Sequence, residues 1–378
     1  MIATIWFWTV WVIVAAGITL LMAAPGVWLR GLGHAALPAT VHLFTLGAIL
    51  GGYYPLQAAV WRNCYGANRF ASILNWPIWL VHTAGALLMV WGLSFSDGVL
   101  AYAGGHYLVP TAVVMFWMQG MAWLLRRDSV TPRQLEIHLP ALGLAVVMPL
   151  GVMLLMDRET GQYGFYGGTS ILLHVLAAGF LFVLPAQQMG YEGWGNRRES
   201  LTQAAISGLG LMAVALSGVG FDGGLPMGLG LLGAVALWAG LPLGGEMNRG
   251  LNLMRRLPWA VVGLILLYIA LLLLRGRTAG EVFPLGALAA TVFLFAAVLP
   301  DWLYRLTLLP ADSGGLPADG REAQPHGKFA FVIYGLQLSG ATIIVVAQMV
   351  QAEAMVRAGA TVWLISLAVL ALRKTEFR

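Results

Sequence analysis

Apolar stretches of about twenty residues follow one another along the whole 378-residue chain. An α-helix of that length rises far enough to cross a hydrocarbon core about 30 Å thick. Twelve such stretches can be drawn, at approximately 3–23, 37–61, 73–94, 99–125, 137–156, 167–189, 204–221, 226–245, 257–274, 281–306, 329–351 and 354–372. Lipid offers the backbone no hydrogen-bond partners, so a spanning segment of this kind satisfies its own amides as a helix. The expected fold is all-α and polytopic, with about twelve transmembrane helices in a single integral membrane domain over 1–378. A water-soluble fold is excluded: hydrophobic residues make up 59% and charged residues 10%, against roughly 45–50% and 25% in soluble domains.

No basic residue precedes the first apolar run, which therefore reads as a retained helix and not as a cleaved signal peptide. Cys64 is the single cysteine, which removes disulfide frameworks, iron–sulfur centres and zinc ribbons from the candidates. The sequence pI of about 9.5 does not point to nucleic acid, because the basic residues sit in the connections between spans, where membrane topology accounts for them. Sixteen of the 21 lysines and arginines fall on the side shared by both termini. The positive-inside rule then places both termini in the cytoplasm of a cell whose inner (plasma) membrane holds the chain. The connection at about 309–327, rich in Pro, Gly, Asp and Ser, reads as a flexible cytoplasmic loop.

The acidic residues fall in loops or near helix ends, from Asp97 and Glu136 to Glu246 and Asp301. Secondary transporters driven by protons or sodium commonly use an intramembrane acid, so this placement argues against that class. Histidines are the ionisable groups left at depth. His42, His106 and His174 each lie about 8–10 Å below the outer surface at 1.5 Å per residue, and His82 is nearer the middle. Neutral imidazole is a good ligand for iron or copper, and unpaired imidazoles are costly in apolar surroundings. The competing reading is that each one hydrogen-bonds a carbonyl or ties two helices together. His138, beside Pro140 at the start of the fifth span, and His34 and His326 in loops read as structural or solvated. Pro110 cannot donate to the His106 carbonyl, so a local kink is expected there. The second, fourth and sixth spans each pair an outer histidine with an inner glutamine: His42 with Gln57, His106 with Gln119, and His174 with Gln187 and Gln188. That pattern reads either as a trace of internal repetition or as ordinary interfacial glutamines at inner helix ends.

The stretch His42-Leu43-Phe44-Thr45-Leu46-Gly47, followed by Gly51-Gly52-Tyr53-Tyr54-Pro55-Leu56-Gln57, resembles the second helix of proteins related to haem-copper oxidase subunit I, the NnrS family among them. The resemblance implies an oxidase subunit I-like bundle of twelve helices with cytoplasmic termini. It also implies that His42 is an axial ligand of a haem, of b type, and that His174 corresponds to a copper ligand. The seventh and tenth spans lack the histidines of true oxidases, and Ala178 stands where many have a tyrosine. The complete oxygen-reducing centre is therefore missing, and His82 and His106 are candidate replacement ligands.

These readings converge on a membrane haem- or copper-binding protein in electron transfer or in handling nitric oxide or another small gas. Its partners would be the lipid bilayer, a redox partner or a gas ligand. Whether it is an enzyme is left open. The alternatives are a channel or transporter for a metal or neutral solute, and a cofactor-free assembly factor.

Overall fold

A computed structural model describes residues 2–29, 37–66, 68–125, 137–160, 168–188, 197–241, 249–282, 286, 299, 306 and 327–376. Among these residues the regular structure is entirely helical. Nine of the described helices are long and apolar enough to cross a membrane. Two more, Leu201–Ser217 and Gly224–Gly240, are apolar but shorter. They occupy the places of the expected seventh and eighth spans. The expected tenth span, about 281–306, and the loop at about 309–327 lie outside the described residues apart from isolated positions.

The helices are α1 (Ile2–Ala23), α2 (Leu37–His42, Leu43–Leu50 and Gly51–Tyr65 in one continuous rod), α3 (Arg69–Phe95), α4 (Gly98–Tyr102, Ala103–Leu108 and Val109–Leu124), α5 (Leu139–Thr160) and α6 (Gly168–Ala177, Ala178–Val183 and Leu184–Gln188). They are followed by α7 (Arg197–Ser217), α8 (Gly224–Gly240), α9 (Arg249–Leu274), α10 (Gly327–Val350) and α11 (Glu353–Glu376). The contacts divide them into two compact units, α1–α4 with α10 and α11, and α5–α9.

Local chemistry sets the helix ends. Asn68 and Asp97 begin α3 and α4 by accepting hydrogen bonds from the backbone N–H groups of Ala71 and Leu100, at 3.3 and 3.1 Å. Gly66 ends α2 with φ +84°, a conformation that suits glycine, and its carbonyl accepts from Trp123 Nε1 at 3.0 Å.

The sequence repetition has a structural counterpart. In α2, α4 and α6 the middle piece, Leu43–Leu50, Ala103–Leu108 and Ala178–Val183 respectively, is a π-helix. Each π segment packs against the helix before it in the chain: α1, α3 and α5. Small residues allow the approach. A Cβ on Gly47 would come within 2.6 Å of Ile13 Cγ2 on α1, one on Gly104 would collide with the Gly85 carbonyl on α3, and one on Gly143 of α5 would collide with the Leu181 carbonyl of the α6 π segment. Close backbone contact of this kind replaces the hydrophobic drive that helices lack in lipid. A proline follows each π segment: Pro55, Pro110 and Pro185. Proline leaves the carbonyl four residues earlier without its helical donor. Where a kink was expected at His106, the chain has a wider π turn, Ala103–Leu108, that contains it.

Candidate polar and aromatic core

Within the first unit α2 is the most enclosed span: 83% of its most apolar window is buried, against 56% or less for the other eight. Its inward side carries Tyr53, Tyr54, Gln57 and Trp61, all 2% exposed or less. Tyr54, Gln57 and Trp61 fall on the i, i+3, i+7 spacing that puts residues on one helix face, and Tyr53 adjoins it, one turn before Gln57. Phe116 of α4 (0% exposed) and His82 of α3 (1%) close over this face.

His82 Nε2 lies 2.9 Å from the carbonyl oxygen of Leu46. A carbonyl only accepts, so Nε2 carries the proton and Nδ1 the lone pair. Leu46 sits inside the π segment of α2, and its carbonyl also accepts from the Gly51 N–H, five residues on. The imidazole stands edge-to-face on Tyr54, with ring centroids 4.9 Å apart, and beside Trp6 at 6.3 Å. Buried polar atoms collect here. The Nδ1 of His82, the hydroxyl of Tyr54, Gln57 Oε1 and Trp61 Nε1 have no hydrogen-bond partner among the described residues. Each such atom is a site where water or a ligand polar group would be stabilised.

The other predicted histidines have separate surroundings. His42 Nδ1 lies 2.7 Å from the carbonyl oxygen of Pro38, one turn back in its own helix. His106 stacks on Tyr102, centroids 4.3 Å apart and planes 13° apart, and its Nδ1 is buried with no hydrogen-bond partner among the described residues. Gly104 and Leu108 face α3 at Gly85, so His106, two residues from each, is on the opposite side of α4. His174 belongs to the second unit, where it lies over Gly151 of α5; a Cβ on that glycine would come within 2.9 Å of His174 Cε1. Among the described residues no three histidine, cysteine, aspartate or glutamate side chains come together as a metal-holding group.

The inner glutamines act as ties. Gln57 Nε2 donates to the Ile137 carbonyl at 2.8 Å, Gln119 Nε2 to the Ala71 carbonyl at 2.6 Å and to Asn75 Oδ1 at 2.8 Å, and Gln187 Oε1 accepts from Trp259 Nε1 at 2.5 Å. Buried amides that bond between helices or to nearby backbone carbonyls hold a bundle in register.

Two features escaped the sequence reading. The first is the set of partners of His138, expected to be structural or solvated: it stacks on Trp61 with centroids 5.2 Å and planes 25° apart, and its Nε2 is 3.0 Å from the Tyr65 hydroxyl. Burial lowers its pKa from 6.5 to about 4, which keeps it neutral. Asp157, in the last turns of α5, is only 3% exposed. Its place near a helix end made it look solvated. The Trp at position 61, four residues before Tyr65, was the available signal for the first feature; none marked the second. His34 and His326 lie outside the described residues.

Comparison with protein-family models, with curated proteins and with solved structures finds no match to this chain.

Proposed function

We propose that this chain is an integral membrane haem- or copper-binding protein that works in electron transfer or in handling a small gas such as nitric oxide, with His42 as the first axial ligand. One observation carries this reading. The bond from His42 Nδ1 to the Pro38 carbonyl at 2.7 Å requires the tautomer whose lone pair is on Nε2. A carbonyl that accepts from the other ring nitrogen, and so fixes the ring and its tautomer, is the usual companion of a metal-bound imidazole.

The donor set suits the group. A haem needs one or two axial imidazoles and no third protein ligand, so dispersed neutral histidines are compatible with it. They are a poor set for calcium or magnesium, which take oxygen ligands. His82 and His106 are the further candidates in the first unit, because each has an Nδ1 with no partner among the described residues. His174 would serve the second unit. When bound, the group would supply one-electron chemistry or gas ligation, and the chain would supply axial ligation and a low-dielectric surround that tunes it. The same reading takes the bundle as twelve spans, like oxidase subunit I, with cytoplasmic termini.

Absorption spectroscopy and metal analysis of the purified protein test it. A Soret band or stoichiometric copper is expected, shifted or lost in His42→Ala and retained in His326→Ala. A colourless, metal-free preparation would overturn the reading and leave a channel, a transporter or an assembly factor.

A further inference from the structure

The outer piece of α2, Leu37–His42, and its inner piece, Gly51–Tyr65, are both α-helical, and the π segment Leu43–Leu50 joins them. The amide that closes the segment shows the change of pattern. Gly51 N–H reaches the Leu46 carbonyl, five residues back, and the Ala48 carbonyl, where an α-helix would reach Gly47. A π turn holds more residues than an α turn, so the segment takes in about one extra residue. Relative to an unbroken α-helix, it turns the outer piece by about 100° against the inner one.

That rotation decides where His42 points. The ring belongs to the outer piece, because Nδ1 is bonded to the Pro38 carbonyl of the same piece at 2.7 Å. This bond sets the tautomer and turns with the helix. The direction of Nε2 relative to the inner piece is set by the register of the π segment.

Two contacts hold that register. Gly47 admits it: a Cβ there would come within 2.6 Å of Ile13 Cγ2 on α1, so neither Leu46 nor Ala48 can take its place without pushing on α1. His82 supplies the polar contact, with Nε2 2.9 Å from the Leu46 carbonyl oxygen. Its ring is 1% exposed, stands against Tyr54 and Trp6, and lies so near the Gly51 backbone that a Cβ there would be 3.6 Å from Nε2. A ring enclosed in this way cannot follow the carbonyl if the register changes. Leu46 is one turn from His42 on the same helix face.

We propose that His82 is a positioning residue for His42: its hydrogen bond to Leu46 holds the π register of α2, and the register aims His42 Nε2. The inference rests on the reading of His42 as an axial ligand and narrows it, because His82 then acts through His42 and not as a ligand. Groups that orient a metal ligand are worth about 10–100-fold in metal affinity.

Crystal structures of the wild type, His82→Leu and His82→Gln test the geometry with or without a cofactor. In His82→Leu, or His82→Met should that variant fold poorly, residues 43–50 should return to α-helical bonding and His42 should turn by about 100°. His82→Gln, which can still donate to Leu46, should keep the π segment. Deleting Thr45 from His82→Leu should bring His42 back to its original direction, since an α-helix one residue shorter restores the alignment of the two pieces. Trp79→Phe, which removes the 3.1 Å bond from Trp79 Nε1 to Thr9 Oγ1 on the same helix as His82, should leave His42 in place. In a haem-containing preparation His82→Leu should weaken haem binding about ten-fold or more and shift the low-spin electron paramagnetic resonance signal. His82→Gln and the Thr45 deletion should restore both. An unchanged π segment and His42 direction in His82→Leu, or a turned His42 with unaltered haem binding, would overturn the assignment. The two readings fail separately. A colourless protein in which His82→Leu turns His42 loses the haem reading alone, and a protein that loses its haem in His42→Ala but not in His82→Leu loses the positioning role alone.

Discussion

The imidazole of His82 reaches from α3 into the π segment of α2 and hydrogen-bonds the carbonyl of Leu46 at 2.9 Å. A regular α-helix offers such a carbonyl to its own i+4 amide; in the π turn the Leu46 oxygen accepts from Gly51 N–H, five residues on, and from His82 as well. One side chain thus locks two spans where the helical hydrogen-bond pattern changes.

Removal of this lock should destabilise the bundle. His82→Leu loses the hydrogen bond and the edge contact with Tyr54, a net loss of about 1–3 kcal/mol. His82→Gln can still donate to Leu46 and should recover part of it. Thermal or denaturant unfolding of the detergent-solubilised protein measures both variants. Equal stabilities of wild type and His82→Leu would show that the contact contributes nothing.

Close helix approach predicts a second, sharper effect. A Cβ on Gly104 collides with the Gly85 carbonyl and with Met89 N, backbone atoms that cannot swing aside. Gly104→Val should therefore cost about 1–3 kcal/mol or more through overpacking, or prevent assembly. Gly230→Ala on α8, where nothing lies within 4 Å of the new Cβ, should be neutral or slightly stabilising because alanine favours the helix. Yields of folded protein and melting temperatures compare the pair; similar losses in both would contradict the packing described.

The bundle was legible in the sequence because length and apolarity alone decide a membrane span. Nine of the expected spans recur as long apolar helices. Leu201–Ser217 and Gly224–Gly240 appear at the expected places but end four and five residues earlier than expected, the first of them where Gly218 and Gly220 follow Ser217. The π segments could not be read directly. They alter the hydrogen-bond pattern by one residue and leave composition untouched, so the only trace was a proline shortly after each, at 55, 110 and 185. The pairing of histidine with glutamine in α2, α4 and α6 was visible. The depth argument for the imidazoles gave distance along a helix but not direction around it, and direction is what separates His82, buried against α2, from His106, turned away from α3.

His138 predicts a pH effect whose sign follows from its lowered pKa. The unfolded chain takes up a proton as pH falls through about 6.5, whereas the folded protein does so only near 4. Between these values the unfolded state binds more protons, so stability falls as the solution is acidified through the window and levels off below it. Above about 6.5 both states are neutral there and the group contributes no slope. His138→Phe keeps a ring on Trp61 and should show a flatter loss of melting temperature between pH 7 and pH 4.5. Identical slopes would mean that His138 is protonated as easily when folded as when unfolded.

The native cysteine gives a direct test of orientation. Cys64 is exposed at the end of α2, two spans from the N-terminus, and therefore on the same side as that terminus. The excess of lysine and arginine on this side is the basis for proposing that it faces the cytoplasm. A membrane-impermeant maleimide should leave Cys64 unmodified in intact spheroplasts and label it in inverted vesicles. Reporter fusions extend the test to the loop at Asp97, which caps α4 after an odd number of spans and should face outward, and to Arg378, which should face inward. Labelling of Cys64 in intact cells would reverse the orientation of α1 to α4.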